Sequence, residues 1–141
     1  NFAGQGDFVS SVFGLFEPES GRLTYVNCGH NLPILIPYGG QPYKLNRSGP
    51  ALCMVAGFHY QASQTYLAPG DALLLYTDGL TEARNTQGEF FDDLRLDSLL
   101  QGNLHRPAAE LIQTIIQAAR QFSGFEVFSD DLTMIVVKRN R

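Results

Sequence analysis

Two acidic motifs, Asp78-Gly79 and Asp130-Asp131, contain the residues of this sequence best suited to chemistry. Asp78 comes just after the apolar run Leu73 to Tyr76, and Asp130-Asp131 directly precedes the apolar run Leu132 to Val137. We expect each carboxylate to lie at the mouth of a buried strand, where lost hydration is costly unless a positive partner is present. An arginine, a helix N-terminus or a metal ion could supply that charge. Hard cations such as Mg²⁺ and Mn²⁺ prefer oxygen ligands of this kind, so the two motifs favour one shared metal site.

Both motifs also have an ordinary structural interpretation. Thr77-Asp78-Gly79 is a common turn sequence, and Ser129-Asp130-Asp131 before a strand is typical of an Asx turn or a cap. Short strings of this type occur often without a metal, and the joint occurrence at two strand mouths raises the metal interpretation only moderately. The spacing by itself leaves both alternatives open.

The spacing of apolar residues, which predicts the elements that position these motifs, changes along the chain from that of strands to that of helices. Turn residues separate β-rich runs in the first half, whereas apolar residues at three-and-four spacing follow Pro107 and stop before Gly124. The uniformly apolar run 72–76 predicts a strand that is covered on both faces. Strands are predicted over 8–16, 23–28, 34–36, 43–45, 58–67, 72–76 and 132–138, and helices over 91–100 and 107–123. This order predicts an α+β fold, an antiparallel β-sandwich with helices packed on the outer face.

Composition limits the class of protein. A chain of 141 residues predicts a single domain over 1–141, and a net charge of -4 with a pI near 5.2 argues against nucleic acid as a partner. No apolar run reaches the roughly 20 residues of a membrane span, so no membrane partner is predicted. Cys28 and Cys53 are interpreted as reduced thiols in a cytoplasmic protein. Neither can head an arginine-closed phosphate loop, because Ile34 and His59 stand six positions further on.

Three segments together resemble the later part of a SpoIIE/RsbU-type serine/threonine phosphatase of the metal-dependent PPM superfamily. They are "SGRLTYVNCGHNLPILI", "LAPGDALLLYTDGLTEARNTQGEFF" and "SDDLTMIVVKR", and they cover nearly the whole chain in the family's order. The fold that this resemblance implies, two antiparallel sheets packed face to face with helices outside, agrees with the pattern of elements described above.

The resemblance also implies a mechanism and the residues that carry it. Two Mn²⁺ or Mg²⁺ ions would activate a water molecule that attacks a phosphoserine or phosphothreonine, with no phosphoenzyme. Asp78 matches the family's strand-end aspartate and Asp130 the ligand of its terminal Asp-Asp motif, so both are expected to be metal ligands and catalytic. Asp131 falls on a position that more often supports the metal site than ligates.

Two further positions can be compared with the family. His30 matches the histidine of the family's Gly-His turn, and one interpretation is that it orients phosphate or water. We favour the interpretation that its ring nitrogens hold the turn before Pro33 in place. Asp92 stands where the family often has glycine.

The largest departure from the family is the absence of its opening motifs, a Gly-Gly-Asp stretch and a Gly-Asp-Val-x-Gly-His-Gly stretch, which supply the aspartate that bridges both metals. The sequence therefore predicts the C-terminal two-thirds of the domain, with weak metal affinity and no activity on its own. It also predicts exposed sheet edges that pair with another chain, as a homodimer or a swapped assembly.

Three functions are compatible with these observations. The first is a metal-dependent protein phosphatase whose substrate, by resemblance, is a phosphorylated regulator of the anti-anti-sigma type. The second is a non-catalytic phosphatase-like module that binds a regulatory protein. The third, an unrelated β-sandwich ligand module, is disfavoured by the paired aspartate motifs.

Overall fold

Seven strands and two helices are formed by residues 7–124 and 130–141, the residues that the computed structural model describes. Every strand pairing among them is antiparallel. The elements in chain order are β1 (Ser11–Glu17), β2 (Arg22–Cys28), β3 (Ile34–Ile36), β4 (Tyr43–Lys44), β5 (Ser63–Tyr66), β6 (Ala72–Tyr76), α1 (Asp93–Asn103), α2 (Ala108–Ser123) and β7 (Met134–Lys138).

The strands form two sheets that pack face to face. One sheet has the order β1-β2-β5 and the other the order β4-β3-β6-β7. Leu23 and Tyr25 of the first sheet share one buried cluster with Leu35 and Leu73 of the second. The predicted α+β sandwich is therefore confirmed.

Strand β6 is covered on both faces, as its apolar run predicts. Ala72, Leu74 and Tyr76 belong to the cluster that includes buried residues of both helices, such as Leu96 of α1 and Ile115 of α2. The alternate residue Leu73 belongs instead to the cluster between the sheets. Because successive side chains point to opposite faces, this strand contributes to both halves of the core.

Several predicted boundaries differ from the observed ones. The first strand starts at Ser11 rather than at residue 8, because pairing with β2 begins at Ser11 and Cys28, whereas Val9 makes only a single bridge to Leu52. Of the predicted strand 58–67, only β5 pairs. Helix α1 continues to Asn103 instead of stopping near residue 100. Helix α2 ends as predicted, since Gly124 adopts φ 72 and its N–H donates to the Arg120 carbonyl.

One side of the sandwich is open. Among the described residues, the edge strands β1 and β7 each pair with one neighbour only. Both strands line an apolar cavity of about 190 Å³ between the sheets. Phe13 and Leu15 of β1 are exposed on the opposite face. The expected exposed sheet edge is thus present in the described part of the chain.

No helix in the described ranges is long and apolar enough to cross a membrane.

Candidate metal centre

The pairing of β6 with β7 brings the two acidic segments to the same end of the four-stranded sheet. The last ladder pair is Tyr76 with Met134, and the next residue, Thr77, donates its N–H to the Thr133 carbonyl at 3.0 Å. In an antiparallel pair the end of one strand lies beside the start of the other. The segment that carries Asp78 therefore leaves the sheet beside the segment that carries Asp130 and Asp131.

Gly79 allows these two segments to touch. A Cβ atom on this residue would lie 2.5 Å from the Asp131 carbonyl oxygen and 3.1 Å from its carbonyl carbon. The obstacle is backbone and cannot rotate away, so only glycine permits this approach. The glycine after the strand-end aspartate thus serves the contact with the second acidic motif.

The Thr77 side chain makes a second connection between the segments. Its hydroxyl donates to the Asp131 carbonyl at 3.1 Å and accepts from the Thr133 N–H at 3.0 Å. Thr77 is not among the site residues predicted from the sequence. The polar side chain at the end of the apolar run was the available signal.

The carboxylates themselves are exposed, and the expectation that they lose their hydration is wrong. The Asp78 side chain makes no hydrogen bond or ion pair with the described residues, and Asp130 Oδ1 accepts only the neighbouring Asp131 N–H at 2.7 Å. The reason is that β6 ends at Tyr76, so residues 77 and 78 extend past the part of the sheet that is covered. Burial creates no demand for a positive partner here.

These carboxylates fit part of a divalent cation site. Both Asp78 carboxylate oxygens lack a partner within residues 7–124 and 130–141, and oxygen donors of this kind suit Mn²⁺ and Mg²⁺. Within residues 7–124 and 130–141, however, no group of three His, Cys, Asp or Glu side chains could hold a metal ion. Asp78, Asp130 and Asp131 therefore offer an incomplete set of ligands.

A cavity of about 260 Å³ opens beside the two acidic segments. Thr77 and Thr133 line one side, and Ser10 with His30 lines another. The His30 ring contacts the β1 side through Nδ1, which lies 3.0 Å from the Ser10 hydroxyl.

Asn27, not His30, holds the following turn. Its Oδ1 accepts the His30 N–H at 2.8 Å and its Nδ2 donates to the Asn31 carbonyl at 3.4 Å. The interpretation that the His30 ring ties down the turn is therefore wrong. The missed signal was the alternation of β2, which places polar Asn27 on the same buried face as Leu23 and Tyr25.

Tyr76, at the end of β6, has a structural role beside the site. Burial raises the pKa of its hydroxyl, and the neighbouring Asp93 carboxylate raises that pKa further. The hydroxyl therefore stays protonated and donates to Asp93 Oδ1 at 3.3 Å, while Lys44 pairs with the other oxygen of Asp93 at 2.5 Å. This network connects the end of β6 to α1 and β4.

Comparison with known proteins shows similarity to one protein family. Residues 1–140 match the family described as Stage II sporulation protein E (SpoIIE). Protein IcfG of Synechocystis sp. is 32% identical over 133 residues, which are 94% of this chain and 21% of that protein. Phosphoserine phosphatase RsbU of Bacillus subtilis is 25% identical over 133 residues, 94% of this chain and 39% of that protein. The chain thus spans well under half the length of these relatives.

A solved structure shares the fold. The phosphatase domain of the cell fate determinant SpoIIE from Bacillus subtilis, presoaked with Mn, superimposes with a TM-score of 0.72 at 17% identity. The match covers 93% of this chain and 56% of that one.

Proposed function

Because this chain belongs to the SpoIIE family, whose relatives include phosphoserine phosphatase RsbU, we propose that it acts in metal-dependent hydrolysis of phosphoserine or phosphothreonine in proteins. The observation that carries the proposal is the contact between the two acidic segments at one end of the sheet. Two motifs far apart in sequence meet there through Gly79 and Thr77, in the family's order.

Each acidic residue has a distinct proposed role. Asp78 and Asp130 ligate Mn²⁺ or Mg²⁺, and two ions are expected in the complete domain. Asp131 supports the site from its neighbouring position, where its carbonyl already accepts the Thr77 hydroxyl. The chemistry that such ions supply is activation of a water molecule as the nucleophile. The exposed position of Asp78 leaves it open to an ion and to a substrate on a protein surface.

The proposed substrate is a phosphorylated signalling regulator of the anti-anti-sigma type in the cytoplasm. The similarity to RsbU, a phosphoserine phosphatase, supports the class of phosphorylated residue. The opening beside the acidic segments supports a protein substrate, because it lies at the edge of the sandwich and combines polar groups, such as Ser10 and His30, with apolar side chains, such as Val12 and Ile135.

The proposal is tested by removing each acidic side chain. Asp78→Asn and Asp130→Asn should each weaken Mn²⁺ binding by more than the roughly 10- to 100-fold that outer-shell partners contribute, because a charged ligand is lost. Binding is measured by titrating the chain with Mn²⁺ and following free Mn²⁺ by electron paramagnetic resonance. Turnover of a phosphoserine peptide is measured in the protein that carries this chain, and it should fall in parallel.

Glu19→Gln is the matched control, since it removes a carboxylate from the turn between β1 and β2, where the Glu19 carbonyl accepts from Arg139 at the opposite end of the β6–β7 ladder. It should leave both binding and turnover unchanged. Wild-type affinity in Asp78→Asn or Asp130→Asn would remove that residue from the proposed ligands.

The alternative is a non-catalytic phosphatase-like module that binds a regulatory protein. The incomplete ligand set among the described residues favours it, and for the same reason we expect the 141-residue chain alone to be inactive. The two functions separate in the same experiment. A regulator bound without Mn²⁺-dependent turnover supports the alternative, and turnover that requires Mn²⁺ and Asp78 supports the phosphatase.

We further propose that the open side of the sandwich pairs with a second copy of the chain, as a homodimer or by strand exchange. The edges of β1 and β7 and the apolar cavity between them support this, because unpaired strand edges beside apolar surface favour association. Val12→Lys, whose side chain would point a charge into that cavity, should shift the chain towards monomer in sedimentation velocity. A wild-type chain that is monomeric at tens of micromolar would contradict the proposal.

A further inference from the structure

We propose that the Thr77 hydroxyl is a positioning group that fixes the Asp78 segment against the Asp130–Asp131 segment and so sets the spacing of the metal ligands. The inference rests on the proposed function and concerns a residue outside the acidic motifs. It is carried by the hydrogen bonds of Thr77, which differ from those of a normal ladder residue.

The backbone of Thr77 serves two structures at once. Its N–H continues the β6–β7 ladder by donating to the Thr133 carbonyl at 3.0 Å. Its carbonyl accepts the Leu80 N–H at 3.2 Å and thereby belongs to the turn that follows. In a regular antiparallel pair that carbonyl would accept the Thr133 N–H and close the ring of two hydrogen bonds. The change from strand to turn therefore leaves the Thr133 N–H without its ladder partner.

The side-chain hydroxyl replaces the missing acceptor. Its oxygen accepts the Thr133 N–H at 3.0 Å, and its single proton is directed to the Asp131 carbonyl at 3.1 Å. A hydroxyl has one donor and two acceptor sites, so both bonds form together without conflict. The chain can consequently turn at Asp78 while its neighbour stays attached to the start of β7.

The two bonds act on the residues adjacent to the proposed ligands. Thr77 precedes Asp78, and its acceptor is the carbonyl of Asp131. Gly79, on the other side of Asp78, lies against the same carbonyl. Asp78 is thus held from both flanks against one peptide unit of the second acidic motif, while its own carboxylate has no partner among the described residues. Thr77 positions the ligands without occupying their oxygens.

The test compares three variants of nearly equal size. Thr77→Val keeps the shape and removes the hydroxyl, and Thr77→Ser keeps the hydroxyl and removes the methyl group. Thr114→Val removes a hydroxyl that bonds only to the Glu110 carbonyl within α2. Mn²⁺ affinity is measured for each, and thermal unfolding shows which variants are folded.

Thr77→Val should weaken Mn²⁺ binding about tenfold, the lower end of the range for groups that orient metal ligands. Thr77→Ser should bind within about threefold of the wild type, and Thr114→Val should bind as the wild type does. A folded Thr77→Val with wild-type affinity would overturn the inference. So would a Thr77→Ser as weak as Thr77→Val, because shape rather than the hydroxyl would then matter.

A second measurement needs neither a variant nor a metal. Amide hydrogen exchange of wild-type Thr133 should be slow for a residue at the exposed start of a strand, since its N–H donates to Thr77. Exchange at the rate of an unprotected amide would overturn the inference even if Thr77→Val failed to fold. Failure of the wild type to bind Mn²⁺ would instead contradict the proposed function, with the Thr133 result still reporting on the hydroxyl bond.

Discussion

Asp71 and Asp78 stand at opposite ends of β6, and the fold treats them differently. Asp71 is 6% exposed, and each of its carboxylate oxygens accepts a backbone N–H at 2.8 Å, Oδ1 from Tyr38 and Oδ2 from Ala68. Asp78 is exposed, and its carboxylate has no partner among the described residues. The same residue type is buried and hydrogen-bonded at one end of the strand and exposed at the other.

The difference shows that one end of β6 is built for stability and the other leaves a carboxylate available to bind an ion. At the Asp71 end, backbone bonds in both directions, from Arg139 N–H to the Asp71 carbonyl and from Gly70 N–H to the Arg139 carbonyl, close the sheet. At the Asp78 end, the Thr77 hydroxyl closes it and leaves the carboxylate unused. Asp71 is buried and each of its oxygens already accepts an N–H, whereas Asp78 is exposed and has no side-chain partner among the described residues, so the Asp78 end is better suited to bind an ion.

Of the substitutions that test this difference, Asp71→Asn should change the free energy of unfolding most. The amide has one acceptor oxygen and an NH₂ group that faces an N–H donor, so a buried donor is left unpaired and the free energy of unfolding should fall by about 2–3 kcal/mol. Urea unfolding measures the change. Mn²⁺ affinity of the folded fraction should be that of the wild type.

Asp78→Asn is the matched counterpart at the other end of the strand. It should leave the free energy of unfolding within about 0.5 kcal/mol of the wild type, because no contact of the described residues is lost. Equal destabilisation by the two substitutions would show that the ends of β6 are not specialised as proposed.

A small effect on the free energy of unfolding is expected from Asp97→Asn. Asp97 is partly buried, between buried Asp71 and exposed Asp78. Burial raises the pKa of Asp97 from its usual 3.8, and nearby Asp93 raises it further while Lys44 opposes the shift. A raised folded-state pKa means that the contribution of Asp97 is most favourable below pH 3.8 and is lost as the pH rises through the folded-state value. Asp97→Asn should therefore stabilise the protein at pH 7, by less than about 0.5 kcal/mol because the group is partly screened by solvent.

Unfolding by urea between pH 3.5 and pH 7 measures this increment. It should shrink towards zero at the acidic end of the series. An increment that stays constant with pH would mean that the charge of Asp97 is not its cause.

The candidate site was predictable where residue type and pattern carry the information. Asp78 and Asp130 remain the predicted ligands, and the pairing of β6 with β7 brings the segments that carry them to one end of the sheet. Asp92 is instructive, because the resemblance showed only that glycine is common there. Its φ of 57 and ψ of 167 lie in a region that glycine adopts most easily, and its side chain caps α1 by accepting the Arg95 N–H. The sequence showed that Asp92 departs from the family, but only the backbone conformation explains why glycine is common at this position.

The supporting residues could not be predicted, because their partners are distant in sequence. The buried Asn27 side chain accepts the His30 N–H, and the buried Asp71 carboxylate accepts the Tyr38 N–H. The exposure of Asp78 was also missed, since the end of an apolar run does not show how far the covering layers extend.

The sequence by itself determined the family, the α+β sandwich and the two acidic motifs, because apolar period and short motifs are local properties of the chain. Tertiary structure alone decided which aspartate is buried and hydrogen-bonded and which is exposed, and that a threonine hydroxyl joins the acidic segments. The physical reason is that a hydrogen bond requires its donor and acceptor within about 3 Å. Strand pairing between segments far apart along the chain sets those distances.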